Sequence, residues 1–175
     1  MDTTVAMETN GCGGPSTRVL RQEVVAIVTG GSTGAGRDIA RRLACWRWAI
    51  VVVYLDQQRT TEATVAKILA AEGTVVAVRA DLADDLDVQR LFAESNAAFA
   101  GVDVVVHTTS EPPALLYQHA ARHVRRGGAI VSVAPAQPVA AGFVPQLGER
   151  EISVGRTAPE AALSFLDSWR RRAVC

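Results

Sequence analysis

This 175-residue chain has little lysine, no excess of either charge, no paired cysteines and no long apolar run. Its 18 basic residues are matched by 18 acidic ones, giving a formal net charge of zero at neutral pH, and Lys67 is the single lysine. Nucleic acid or an anionic membrane selects for a basic stripe. The only dense one is WRRR at Trp169 to Arg172, which reads as a solvated tail. No nucleic-acid or membrane partner is therefore expected. Cys12, Cys45 and Cys175 are odd in number, far apart and without C-x-x-C spacing, which argues against a zinc site or a disulfide framework. The first residues carry an early acid and no apolar core, unlike a secretory signal. No apolar stretch approaches the roughly 18 residues of a membrane span. These absences predict a soluble, cytoplasmic protein.

Apolar residues are plentiful, at 49%. A chain of this length buries about 70% of its unfolded surface when it folds as one domain. Residues 1–20 are rich in Gly, Thr and Ser without periodicity and read as a disordered arm, leaving 21–175 as the domain. Short Val- and Ile-rich runs recur at Val24–Val28, Ile50–Tyr54, Val75–Val78, Val102–Val106 and Ala129–Val133. They are apolar on both faces, as strands of a covered parallel sheet are. Between them lie helical patterns at Ala35–Cys45, Thr60–Ala71, Asp85–Phe99 and Ala114–Arg125, the third with Asp84 or Asp85 as its cap. Gly73, Gly101 and Gly127-Gly128 fall where left-handed helix ends are expected. The first helix has no such glycine, so Arg47 must take the left-handed position at a cost of about 1 kcal/mol. The alternation predicts a doubly wound α/β sheet of Rossmann type.

The most informative stretch is VVAIVTGGSTGAGRDIARRLA, Val24 to Ala44. A strand ends at Thr29, and the loop Gly30-Gly31-Ser32-Thr33-Gly34-Ala35-Gly36 opens a helix. Gly30 permits a tight exit from the strand. Gly34 and Gly36 remove side chains where a pyrophosphate and the neighbouring strand must approach. The helix start offers free N–H groups and a positive dipole end to phosphates. Gly30, Ser32, Thr33, Gly34, Ala35 and Gly36 are thus candidate contacts for a dinucleotide. Asp56 follows the second strand, 20 positions after Gly36, about where a carboxylate takes the ribose hydroxyls of NAD. Arg59 stands close enough to meet the 2′-phosphate of NADP. Asp56 tilts the reading slightly toward NAD, although a solvated loop acid accounts for it equally well.

The pattern T-G-x-x-x-G-x-G followed by RDIARRLA resembles the short-chain dehydrogenase/reductase family. The likeness continues through VVAVRADLAD, VQRLFAESNAAFAGVDVVVH and RRGGAIVSV, from Val24 to about Val133. The resemblance implies that Asp81 and Leu82 flank an adenine. It also implies hydride transfer by a tyrosine in a Y-x-x-x-K pair, where the lysine's charge lowers the phenol pKa. A serine after the fifth strand would polarise the carbonyl. Those groups are missing. The family's serine position holds Pro135, and its spacing leads to Gly148 and Ile152 rather than to tyrosine and lysine. Tyr54 and Tyr117 have no lysine four residues on.

Other departures agree. The family's N-N-A-G is His107-Thr108-Thr109-Ser110 here, and only 18 residues separate Ser110 from Ala129. EISVGRTAPEAALSFLDSW resembles the sixth strand and its following helix, so the segment between is largely deleted. The usual pairing of subunits through the helices around the fifth strand is thereby weakened. His107, at a strand end that faces a ligand crevice, is a candidate cofactor contact and the one candidate replacement acid, although nothing in sequence orients it. His119 and His123 share a helix face at metal-ligand spacing but have no third ligand and read as surface residues. Ser132 reads as a small buried hydroxyl satisfied by backbone.

Three functions are compatible with this sequence. One is an NAD(P)-binding protein without normal catalysis, acting as a redox sensor or as a homo- or hetero-oligomeric subunit beside an active relative. Another is an oxidoreductase using His107. The third is a decayed gene product.

Overall fold

The computed structural model describes residues 24–32, 34–110, 114–133 and 144–173. The arm expected at 1–20, Thr33 of the glycine loop and Pro135 lie outside the described residues. Among the described residues six strands and six helices alternate: β1 (Val25–Thr29), α1 (Gly34–Cys45), β2 (Ala49–Tyr54), α2 (Gln58–Ala70), β3 (Thr74–Arg79), α3 (Asp85–Phe99), β4 (Val102–His107), α4 (Ala114–His123), β5 (Val124–Val133), α5 (Val144–Glu149), β6 (Ser153–Thr157) and α6 (Pro159–Ala173). The strands form one parallel sheet in the order β3-β2-β1-β4-β5-β6.

Strand side chains alternate between two dry layers. Val25, Ile27, Val51, Val53, Val105 and Ile130 face Val88, Leu91 and Phe92 of α3, Leu116 and Tyr117 of α4, and Leu147 of α5. Ala26, Val28, Ile50, Val52, Val104 and Val131 face Ile39 and Leu43 of α1, Ile68 of α2, and Leu166 and Trp169 of α6. A fully buried Val, Leu or Ile side chain contributes about 1.5–3 kcal/mol, so the doubly covered centre is where stability concentrates. The edge strand β3 departs from the expected double burial, with Thr74, Ala77 and Arg79 exposed.

Helix ends correct the sequence reading in an instructive way. Arg47 does adopt a left-handed backbone, with φ 63°. Glu72 (φ 56°) and Glu151 (φ 58°) do the same, and the three share one hydrogen-bond pattern. Trp48, Gly73 and Ile152 donate their N–H groups to the carbonyls of Leu43, Ile68 and Leu147, five residues back. In this Schellman arrangement the left-handed residue is the one before the closing residue. Gly73 is therefore not the left-handed residue. It is small because a β-carbon there would lie 2.7 Å from Ile68 Cγ2. Gly127-Gly128 does not cap α4 either, since it lies inside β5, where the pairing with β4 shifts register. The α3 cap is Asp84, whose carboxylate accepts the N–H groups of Leu86 and Asp87.

At the N-terminal end of the sheet, Asp103 accepts from the Val25 N–H at 2.8 Å and pairs with Arg125 at 2.9 Å. Arg125 also donates to the Ala100 carbonyl. This clamp ties β1, β4 and β5 together at the end opposite the glycine loop.

Candidate functional site at the strand C-termini

The glycine loop is locked to β4 by hydroxyls. Thr108 Oγ1 donates to the Thr29 carbonyl at 2.6 Å, and the Thr108 N–H donates to Thr29 Oγ1 at 3.2 Å. Gly30 has φ 63°, and a β-carbon on it would lie 2.6 Å from Thr108 Oγ1. A β-carbon on Gly36 would overlap the Gly30 carbonyl oxygen, so that position admits only glycine in this packing. Gly34 differs: it is exposed at φ 50°, and nothing lies within 4 Å of where its β-carbon would be. Ser32 is buried and Ala35 half-buried beside it. The loop is therefore tight against the protein on one side and open on the other, where the first N–H groups of α1 lack intrahelical partners. A helix start with clear space in front suits a phosphate.

From this loop a crevice of about 230 Å³ runs across the ends of β1, β2, β3 and β4. Gly30, Leu55, Asp56, Leu82, Thr109 and Ser110 are among its walls. Asp56 is exposed at the mouth, and Arg59 borders the adjoining surface hollow. Asp81 sits behind Leu82 with its carboxylate accepting the Ala83 N–H at 2.9 Å, and its own N–H donates to Asp87. That N–H, with help from Arg90, holds the Asp87 carboxyl below its usual range. Among the predicted contacts, Gly30, Asp56 and Leu82 line the crevice, Asp81 supports its wall, and His107 is not among its lining residues. A larger hollow, about 400 Å³, lies between the far ends of α1 and α2. Arg42 and Lys67 there are last-turn cations that complement their own helix ends.

His107 closes β4 and is fully buried, on the layer shared with α4, which corrects its expected exposure toward a ligand. The structure also supplies the orienting group that the sequence did not reveal: Thr29 Oγ1 lies 2.9 Å from His107 Nδ1. Next to it in the sheet register is Ser132, whose hydroxyl lies 2.5 Å from the Tyr117 hydroxyl. Ser132 is thus partnered by a phenol, not by backbone alone. The Tyr117 and His107 rings meet edge to face at 5.9 Å. Burial raises the Tyr117 pKa above its ordinary value, with the Ser132 hydrogen bond acting against it. A phenol shifted that way is a poorer base at neutral pH.

Sequence reasoning passed over this Tyr117–Ser132 pair. The available signals were alternation with Ile130, which puts Ser132 on the α4 layer, and the place of Tyr117 on the apolar stripe Leu116, Ala120 and Ala121. His119 was also misread, being buried rather than on the surface. It bonds Asp85 at 2.9 Å and stacks on His123 at 8°, so the pair does not converge on a metal. Among the described residues no group of three or more His, Cys, Asp or Glu side chains is placed to hold one.

Known proteins place this geometry in a lineage. Residues 24–126 match the family model described as short chain dehydrogenase. The 3-oxoacyl-[acyl-carrier-protein] reductase of Synechocystis is 36% identical over 83 residues, covering 47% of this chain and 34% of that protein. A hydroxynaphthalene reductase-like protein of Metarhizium robertsii is 29% identical, with 61% and 49% covered. The chain thus spans about a third to a half of these curated relatives. A short chain dehydrogenase from Burkholderia cenocepacia, solved in complex with NADP, superposes with a TM-score of 0.65 at 26% identity, covering 79% of this chain and 74% of that one. A short-chain dehydrogenase/reductase from Serratia marcescens gives 0.66 at 26% identity, with 78% and 74% covered. The glycine loop, the strand order and these matches agree: the chain belongs to the short-chain dehydrogenase/reductase family of NAD(P)-binding oxidoreductases.

Proposed function

We propose that this protein binds a nicotinamide dinucleotide in the strand-end crevice and does not carry out the family's usual hydride transfer unaided. The observation that supports the first half is the one-sided glycine loop, with Gly30 and Gly36 packed shut and Gly34 facing clear space. In this reading the loop N–H groups and the start of α1 hold the pyrophosphate. Leu82, backed by Asp81, bounds the adenine, and Asp56 takes ribose hydroxyls while Arg59 competes for a 2′-phosphate. Ser32, Thr33 and Ala35 complete the loop.

When bound, the nicotinamide supplies or accepts hydride, and the family's phenol–ammonium pair moves the matching proton. Here the sole lysine, Lys67, is on α2, while of the two phenols Tyr54 ends β2 at the crevice with no lysine four residues on and Tyr117 is buried against Ser132. Losing a general acid typically forfeits 10²–10⁴-fold in rate, about 3–5 kcal/mol of barrier. The protein then acts as a sensor of the dinucleotide pool, or as a subunit beside an active relative, in the cytoplasm. The domain is residues 21–175 and the preceding arm takes no part.

Thermal melts with NAD, NADH, NADP and NADPH test the binding. At a hundredfold excess over Kd the correct dinucleotide adds about 2.7 kcal/mol, and silence from all four refutes the proposal. A broad or absent transition without ligand would favour the decayed-product reading, which the two dry layers of the core oppose.

One observation favours a second reading, in which His107 serves as the acid: Thr29 fixes its ring. Turnover of ketones or alcohols followed at 340 nm, lost in His107→Ala with binding intact, would establish that reading over the first.

A further inference from the structure

Between α3 and α4 lies a cluster of three nearly parallel rings that the cofactor site does not use. Phe92 stacks on His123 at 5.2 Å and on His119 at 6.2 Å, and the two imidazoles are 5.9 Å apart. His119 Nε2 is 2.9 Å from a carboxylate oxygen of Asp85, in the first turn of α3. In the neutral ring Nε2–H donates to that carboxylate, leaving Nδ1 with only a lone pair. Nδ1 is buried and has no hydrogen-bond partner among the described residues. The seam therefore packs around a buried polar atom that nothing among the described residues answers, which weakens it as a joint between α3 and α4.

The charged neighbours do not favour loading the pair with a proton. Arg122 of α4 and Arg150, beyond α5, both act on His123. Arg150 is held there by the carbonyls of Ala121 and Arg122. Among the described residues Asp85 is the acid that bonds the pair, and it is largely exposed. His123 is itself exposed at one edge; partial desolvation of its ring first, then His119, Arg122 and Arg150, hold its pKa below the ordinary value. Because the folded-state value is the lower one, the associated stability is complete above about pH 6.5 and is lost as pH falls through the folded value.

The cluster is mechanically joined to the crevice. Asp85 belongs to a turn in which the Asp84 N–H reaches the Asp81 carbonyl at 3.2 Å and the Asp81 N–H reaches Asp87 at 2.9 Å. Leu82, inside that turn, is a crevice wall.

We propose that the α3–α4 seam is an acid-responsive joint: a proton taken up by His123, stacked on Phe92 and His119, opens the seam, shifts the Leu82 turn and weakens dinucleotide binding. This rests on the cofactor reading above. A device of this kind needs only a packed element with two arrangements, one of which the proton disfavours.

Calorimetric Kd values for NAD, and for NADP, at pH 8, 6.5 and 5.5 test it. One proton taken up on opening predicts roughly tenfold weaker binding per pH unit below the transition. His123→Phe keeps a stacked ring without a titratable nitrogen and should flatten that dependence. Asp85→Asn removes the counter-charge and should move the transition to lower pH. A Kd that is independent of pH in the wild type, or that rises as steeply with acid in His123→Phe, overturns the joint. If neither dinucleotide binds at pH 8, the cofactor reading fails, and the seam is then judged in ligand-free protein. There the melting midpoint should drop further between pH 8 and 5.5 in the wild type than in His123→Phe, and equal drops overturn the joint.

Discussion

The two halves of the sheet end differently. On the β1–β3 side the strands finish in loops that leave a crevice, with Asp56 at its mouth and Gly34 facing open space. On the β4–β5 side they finish in side chains that satisfy one another: His107 with Thr29, and Ser132 with Tyr117, all four buried. The strands themselves are alike, all parallel and Val-rich. The contrast therefore comes from the segments into which the strands run. Short loops, the first of them glycine-rich, keep the first half open. In the second, α4 has ten residues and α5 six, and Tyr117 in the first turn of α4 comes down directly onto β5. One half of the sheet is thus open at its strand ends while the other is closed by its own side chains.

The contrast breaks most completely at Gly36. In Gly36→Val the new side chain meets the backbone oxygen of Gly30, which cannot turn aside. Overpacking of that kind costs about 1–3 kcal/mol. The expected result is a lower melting temperature and no stabilisation by any dinucleotide, whereas a normal ligand shift would show that the loop is not the cradle.

A smaller effect should emerge on the closed half. Tyr117→Phe leaves the Ser132 hydroxyl short of a partner, at a cost of about 1–3 kcal/mol in urea titrations. Dinucleotide affinity should not change, because the pair lies behind the crevice and does not line it. A large loss of affinity in this variant would join two halves that the geometry keeps independent.

The smallest effect discriminates cofactors. Asp56→Asn removes a charged acceptor at the crevice mouth, and a charge-assisted hydrogen bond is worth about 1.5–3 kcal/mol. NAD affinity measured by calorimetry should fall about tenfold, by the low end of that range, with NADP affinity equal or improved. Equal losses for both would remove Asp56 from the ribose site and leave it as a solvated loop acid.

Strands, helix order and the glycine loop were legible in the sequence because they rest on local chemistry. Val-rich runs, helical spacing and φ-permissive glycines act within a few residues of themselves. Arg47 was legible for the same reason, since a helix running straight into a strand must reverse somewhere. The other left-handed ends were not. Glu72 and Glu151 take that conformation because the next residue, Gly73 or Ile152, closes back onto the preceding turn, and spotting a glycine does not reveal which residue reverses. Gly127 does take a left-handed backbone, with φ 77°, but inside β5 and not at the end of α4. Gly128 is small because a β-carbon would overlap the Asp103 carbonyl of the neighbouring strand, a contact 25 positions away in sequence.

The sequence by itself determined the parallel α/β architecture, the glycine loop between Gly30 and Gly36, and the lack of a Tyr-x-x-x-Lys pair. Composition and short-range pattern suffice for each of these. Only the tertiary structure decided which way the remaining polar groups point. The Thr29–His107 contact spans 78 residues and the His119–Asp85 contact 34. Whether a hydroxyl or an imidazole faces a ligand or the core depends on the packing of helices onto strands, which no local pattern encodes.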